Sequence, residues 1–218
     1  MKEWLGAFVS FRCGWRGYAA AFLPFPLAVL LLTVVLGYEP NLAIAEGQPA
    51  FAFYLTIFPM VIFNGLVTAL IGAGPLGEEG GWRGYLLPRL LEKFGEVPAS
   101  LILGLVWALW HLPVMALFPG WRGGMDFWTY LPLYIVSVCA LSLLMTRVWK
   151  IGRGSLVPVI WLHGIVNAIG SFAFDSDAWT NRWSEEFGIV LFALSALLAF
   201  AVLVKVTARK REPVAALA

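Results

Sequence analysis

Charge is scarce in this chain: only 13% of its 218 residues are Asp, Glu, Lys or Arg. A soluble domain of this size typically carries about 25%, so a water-facing globule is excluded. Cysteine is equally sparse, with Cys13 and Cys139 alone. Orientation arguments put one at an aqueous end and the other inside an apolar segment, which excludes a disulfide framework. Neither lies near a histidine in sequence, so a cysteine nucleophile is not expected. Low-complexity segments, clear internal repeats and an HExxH pairing are also missing. The net charge of +2 is too small to indicate a nucleic-acid partner, and none is expected.

What the chain does have is apolar length. Hydrophobic residues make up 61% of it, in runs of about 20 residues, which at 1.5 Å per residue span a hydrocarbon core of roughly 30 Å. Runs this long and without alternation are helices, because an open strand leaves its backbone polar groups unpaired in lipid. The fold class expected is therefore all-α: a polytopic membrane bundle of about six helices, near 18–37, 50–73, 98–118, 127–147, 155–174 and 187–206. These belong to one transmembrane domain over 18–206, followed by a basic tail over 207–218.

Basic residues distribute unevenly between the two ends of these spans. Thirteen of the fifteen Lys and Arg fall on the side that holds residues 1–17, 83–97, 147–154 and 205–218, leaving Arg122 and Arg182 on the other. The positive-inside rule makes the first side cytoplasmic. Both termini then lie in the cytoplasm of a multi-pass protein, with the cell membrane its expected location. Within 1–17, Trp4, Phe8, Phe11 and Trp15 are spaced as one helical stripe beside Lys2, Arg12 and Arg16. That pattern predicts an amphipathic segment lying in the interface of the lipid bilayer.

Against this background a few polar residues stand out. Glu78 and Glu79 follow an apolar run and precede Arg83, while His111 interrupts LILGLVWALWHLPVMALF. His163 and Asn167 interrupt SLVPVIWLHGIVNAIGSFAF, and the protein has no third histidine. Ionisable groups at bilayer depth cost roughly 2.5–3.5 kcal/mol each on insertion scales, so they are seldom without a function. A single polar side chain in a span is often only an interhelical hydrogen bond, worth about 0.6 kcal/mol on average.

Here the depths converge. By helical rise Glu78 lies about 17 Å from Arg89 and His111 about 20 Å from Pro98, with His163 and Asn167 about 12 and 18 Å from Ser155. One cavity would hold all four.

Residues 50–91 would measure about 60 Å as one helix, twice the core thickness. The chain is therefore expected to break near Gly72–Gly77, by a kink or a partial re-entrance, with a new helix starting near Glu78. Glu79 and Arg83 would then stand at i, i+4 as an ion pair. Glu78, rotated by about 100°, would point elsewhere.

The set Glu78-Glu79-x-x-x-Arg83, Trp107-x-x-x-His111 and His163-x-x-x-Asn167 resembles the three motifs of the CPBP family. That family comprises CAAX-type intramembrane proteases and bacteriocin-processing, Abi-like relatives. The likeness runs from about Gly74 to Gly170. Trp107 stands where the family usually has Phe, and Gly80-Gly81 follows the acid pair where a bulkier residue is common.

The resemblance implies an endopeptidase acting on a membrane-associated protein or peptide, at a site open to the cytoplasm. Glu78 would be the general base, His111 would hold the water, and His163 and Asn167 would donate to the oxyanion. Glu79 and Arg83 would support them. The family has been described both with and without metal. If zinc is used, Glu78, His111 and His163 are its ligands; metal-free water activation is preferred, because asparagine is a poor zinc ligand. The alternatives are a catalytically idle immunity or partner-binding relative, and a small transporter.

Overall fold

The computed structural model describes residues 2–11, 13–37, 50–71, 73–173 and 185–208. Most of the tail expected over 207–218 lies outside them, as does Arg182. Among the described residues every regular element is helical.

The structure is apolar on its outside as well as in its core. Leu31, Phe63, Leu105, Val136 and Val202 face outward, whereas Glu79 and Arg83 are 0% exposed and His163 is 4% exposed. An apolar exterior, with the few ionisable groups of the spans turned inward, is the arrangement a bilayer demands. Four helical stretches are long and apolar enough to cross: Gly14–Leu32, Glu96–Leu117, Phe127–Ile151 and Phe187–Ala208. Two shorter apolar stretches, Ile62–Ile71 and Val157–Ile169, occupy the other two expected spans. The protein is an integral membrane helix bundle.

The N-terminal segment departs from a single amphipathic helix. Helix α1 (Lys2–Phe8) ends before Phe11, and α2 (Gly14–Phe22) begins at a glycine with φ +70°. This left-handed residue turns the chain, so Trp4 and Trp15 sit on different helices. Helix α1 is tied to the bundle, since Leu156 N–H donates to the Ala7 carbonyl (3.0 Å) and Ser155 Oγ to that of Ser10 (2.6 Å). Helix α2 runs into α3 (Pro24–Val35), with Pro24 in the first turn, where its missing N–H costs nothing.

Helix α4 (Ala50–Ile71) is followed by α5 (Ala73–Gly81), which starts five residues before Glu78; residue 72, between them, lies outside the described residues. Gly74, Pro75 and Gly77, expected to interrupt the helix, are helical. Pro75 occupies the third position of α5, among the N–H groups that have no intrahelical partner.

Then come a π-helical turn (Trp82–Leu86), α6 (Leu87–Phe94) and α7 (Glu96–Trp110). The π turn has a local cause: Pro88 donates no hydrogen bond to Gly84, and its ring crowds that carbonyl. After α7 come α8 (Leu112–Leu117), a 3₁₀ turn (Pro119–Arg122), α9 (Phe127–Ile151), α10 (Val157–Ala173) and α11 (Glu185–Ala208).

Helix α9 packs between α7 and α11, and α10 packs on α4. Small residues set both close crossings, as is usual where lipid offers no hydrophobic drive. A Cβ on Gly65 of α4 would lie 2.6 Å from Ile165 Cα, and one on Gly164 would collide with the Gly65 carbonyl. A Cβ on Gly104 of α7 would lie 2.7 Å from Cys139 Cα of α9. The first crossing seats α10, which carries His163, beside α4 and α5, and the second seats α7, which leads to His111, on α9.

Candidate active site

Three segments supply the polar groups: the end of α5 with the π turn, the C-terminal end of α7, and the middle of α10. Glu79 and Arg83 form a buried pair, with Arg83 Nη1 donating to Glu79 Oε1 at 2.9 Å and to Oε2 at 3.1 Å. Glu79 Oε1 also accepts from His163 Nδ1 at 2.8 Å. One carboxylate therefore links the first motif to the third. Sequence reasoning treated Glu79 and Arg83 as a local pair and missed this contact, which joins positions 84 residues apart.

Glu78 turns away from that pair. Its Oε2 accepts from the Trp107 indole N–H at 2.8 Å and from that of Trp82 at 3.4 Å. Oε1 has no such protein donor among the described residues. Trp107 carries several roles at once. Its ring lies under the Arg83 guanidinium, 4.6 Å from centroid to Cζ, and edge-on to His163 at 5.2 Å. Its carbonyl oxygen is 2.9 Å from His111 Nδ1. The signal was present in the sequence, because only tryptophan among the apolar aromatics has an N–H to give.

A cavity of about 560 Å³ is lined by Glu78, His111, His163 and Asn167 together. Glu79 and Arg83 are buried behind it. The remaining wall is aromatic and apolar, with Trp121, Tyr130 and Tyr134 prominent. His111 stacks on Trp121 at 5.5 Å and meets Tyr134 edge-on at 5.8 Å. Arg122 also lines the cavity; its Nε donates to the Met115 carbonyl at 2.9 Å and its Nη1 to that of Met125.

Hydrogen-bond chemistry fixes part of the protonation pattern. A carbonyl only accepts, so His111 Nδ1 carries a proton toward Trp107, and in the neutral ring Nε2 is an acceptor. An ionised Glu79 likewise requires a proton on His163 Nδ1. His163 Nε2 then donates only when the ring is imidazolium. In that state Glu78 and Glu79 balance Arg83 and His163, and the cluster is neutral.

Metal-binding capacity is limited in this arrangement. Among the described residues no three His, Cys, Asp or Glu side chains are grouped so as to hold an ion. Glu78, His111 and His163 line one cavity without converging into such a group.

Fold and site together define a membrane-embedded protein with a carboxylate–histidine centre facing an internal cavity. The family model "Type II CAAX prenyl endopeptidase Rce1-like" matches residues 55–169. That stretch includes all three motifs and more than half of the chain, and the chain belongs to this family. The CAAX prenyl protease 2 of Methanococcus maripaludis is 28% identical to it over 150 residues, covering 67% of this chain and 52% of that protein. The chain thus spans about half the length of this curated relative. No solved structure matches it.

Proposed function

We propose that this protein is an intramembrane endopeptidase that hydrolyses a peptide bond of a membrane-associated protein or peptide. The observation that carries the reading is the single cavity onto which Glu78, His111, His163 and Asn167 all open. Family membership supports it. In this reading a water bound between Glu78 Oε1 and His111 Nε2 gives its proton to Glu78 as it attacks the scissile carbonyl carbon. The C–N bond breaks when that proton passes to the departing amine.

Charge develops on the carbonyl oxygen during attack. Asn167 and the His163 imidazolium are the donors for it, with Glu79 holding the ring in place. One oxyanion donor in a water-poor site is worth roughly 3 kcal/mol.

The contact between Glu79 and His163 favours a second reading of the same site. A carboxylate-oriented neutral histidine is itself a general base, so His163 Nε2 would take the proton and Glu78 would position the water.

Glu78→Gln tests the proposal. It keeps the shape and both indole hydrogen bonds, so the protein should insert and fold normally. Fragments of membrane proteins that appear in cells with wild type should vanish with the variant, by a rate loss of about 10²-fold or more. Unchanged cleavage would remove Glu78 from the mechanism. If cells with wild type and cells lacking the protein show identical fragments, the idle immunity or partner-binding relative becomes the better description.

A further inference from the structure

We propose that the catalytic cavity opens toward the extracytoplasmic face. Its substrates are then segments that leave the bilayer on that side, such as the juxtamembrane stretches of exported, membrane-anchored proteins. The cutting step rests on the function proposed above; the sidedness does not.

The two ends of the bundle differ in charge. Around the C-terminal end of α9 a second cavity gathers Arg16, Arg147, Lys150 and Arg153. Lys150 Nζ lies 2.5 Å from Glu96 Oε2, and Arg147 Nε is 3.0 Å from Oε1, an ion pair off the hydrogen-bonding direction. This joins the start of α7 to the end of α9, so both lie at the basic end. Lys205, in the last turn of α11, has the same sense. Basic clustering of this kind marks the cytoplasmic end.

The catalytic cavity is built from the opposite halves of the same helices. Tyr130 and Tyr134 lie in the first turns of α9, and Ile189 and Phe192 in the first turns of α11. Tyr134 is 16 residues from Lys150, about 24 Å along the helix, and His111 is about 22 Å along from Glu96. The loop from Trp121 to Met125, which connects the far ends of α8 and α9, forms the outer wall. Among the described residues the cavity thus extends from mid-bundle to the loop remote from the basic end. This differs from the cytoplasmic opening that the family resemblance implies.

Single cysteines test the sidedness without requiring activity. In a background with Cys13→Ala and Cys139→Ala, Met125→Cys and Tyr134→Cys report on the cavity and Arg153→Cys on the basic end. Intact cells are treated with a membrane-impermeant sulfonated maleimide, before and after permeabilisation. The expected result is labelling of Met125→Cys and Tyr134→Cys from outside, and of Arg153→Cys only after permeabilisation. Cavity cysteines protected until permeabilisation would overturn the proposal, as would external labelling of Arg153→Cys. An inactive protein that still labels in the expected pattern would leave the sidedness standing and remove only the protease reading.

Discussion

The Trp107 indole N–H donates to Glu78 Oε2 at 2.8 Å, while the carbonyl of the same residue meets His111 Nδ1 at 2.9 Å. One residue of α7 therefore orients both groups assigned to the water. Phenylalanine, usual at this position in the family that the sequence resembles, lacks the indole donor. Trp107→Phe keeps an aromatic ring against Arg83 and His163 and loses the N–H. A hydrogen bond to a charged group contributes about 1.5–3 kcal/mol, so kcat should fall about 10- to 100-fold. KM and thermal stability should change little. A kcat equal to wild type would show that Trp82 and the surrounding packing suffice to hold Glu78.

Asp126 provides a pH-dependent test at the far end of α9. It is the N-cap, accepting from the Trp128 N–H at 3.2 Å and the Thr129 N–H at 2.7 Å. Its carboxyl is held below the ordinary value, first by the Thr129 side chain and then by these N–H groups. A carboxylate depressed in the folded state stabilises fully above its unfolded pKa, about 3.9, and loses that contribution as pH falls through the folded value. Asp126→Ala should therefore be less stable than wild type near neutrality. The gap should narrow as unfolding is followed downward from about pH 4. A gap independent of pH would remove the charged cap from the account.

Metal dependence has its own experiment. If water is activated by Glu78 and His111 without a metal, extensively demetallated protein should retain its activity, and metal analysis should give well under one equivalent of zinc. Inactivation by a chelator, reversed only by zinc, would require Glu78, His111 and His163 to converge beyond the arrangement described here.

The legible parts of this protein were those governed by local physics. Scarce charge and long apolar runs point to a membrane bundle, and the i, i+4 spacing of Glu79 and Arg83 describes one helix face. The start of α5 at Ala73 was hidden because Gly74, Pro75 and Gly77 read as breakers, although a proline in the first turn loses nothing. The contact from Glu79 to His163 spans 84 residues and depends on how α10 packs, held close by Gly65 and Gly164. No local pattern encodes it. The side on which the cavity opens is likewise a property of the assembled halves of α9 and α11.

The buried triad offers the last prediction. Arg83 and Glu79 are both 0% exposed, and Arg83 Nε and Nη2 find no hydrogen-bond partner among the described residues. Removing one member of such a pair leaves the other charge stranded and typically costs about 3–5 kcal/mol. Arg83→Leu alone should therefore unfold markedly earlier in detergent than wild type. Glu79→Leu alone strands Arg83 and should do the same. The double variant leaves neither charge exposed to the interior, so much of that loss should be recovered, giving a large coupling energy in the mutant cycle. Activity should not return with stability, because His163 has then lost the carboxylate that orients it. Recovery of both would mean that Glu79 serves folding only; additive losses would mean that the two charges act independently.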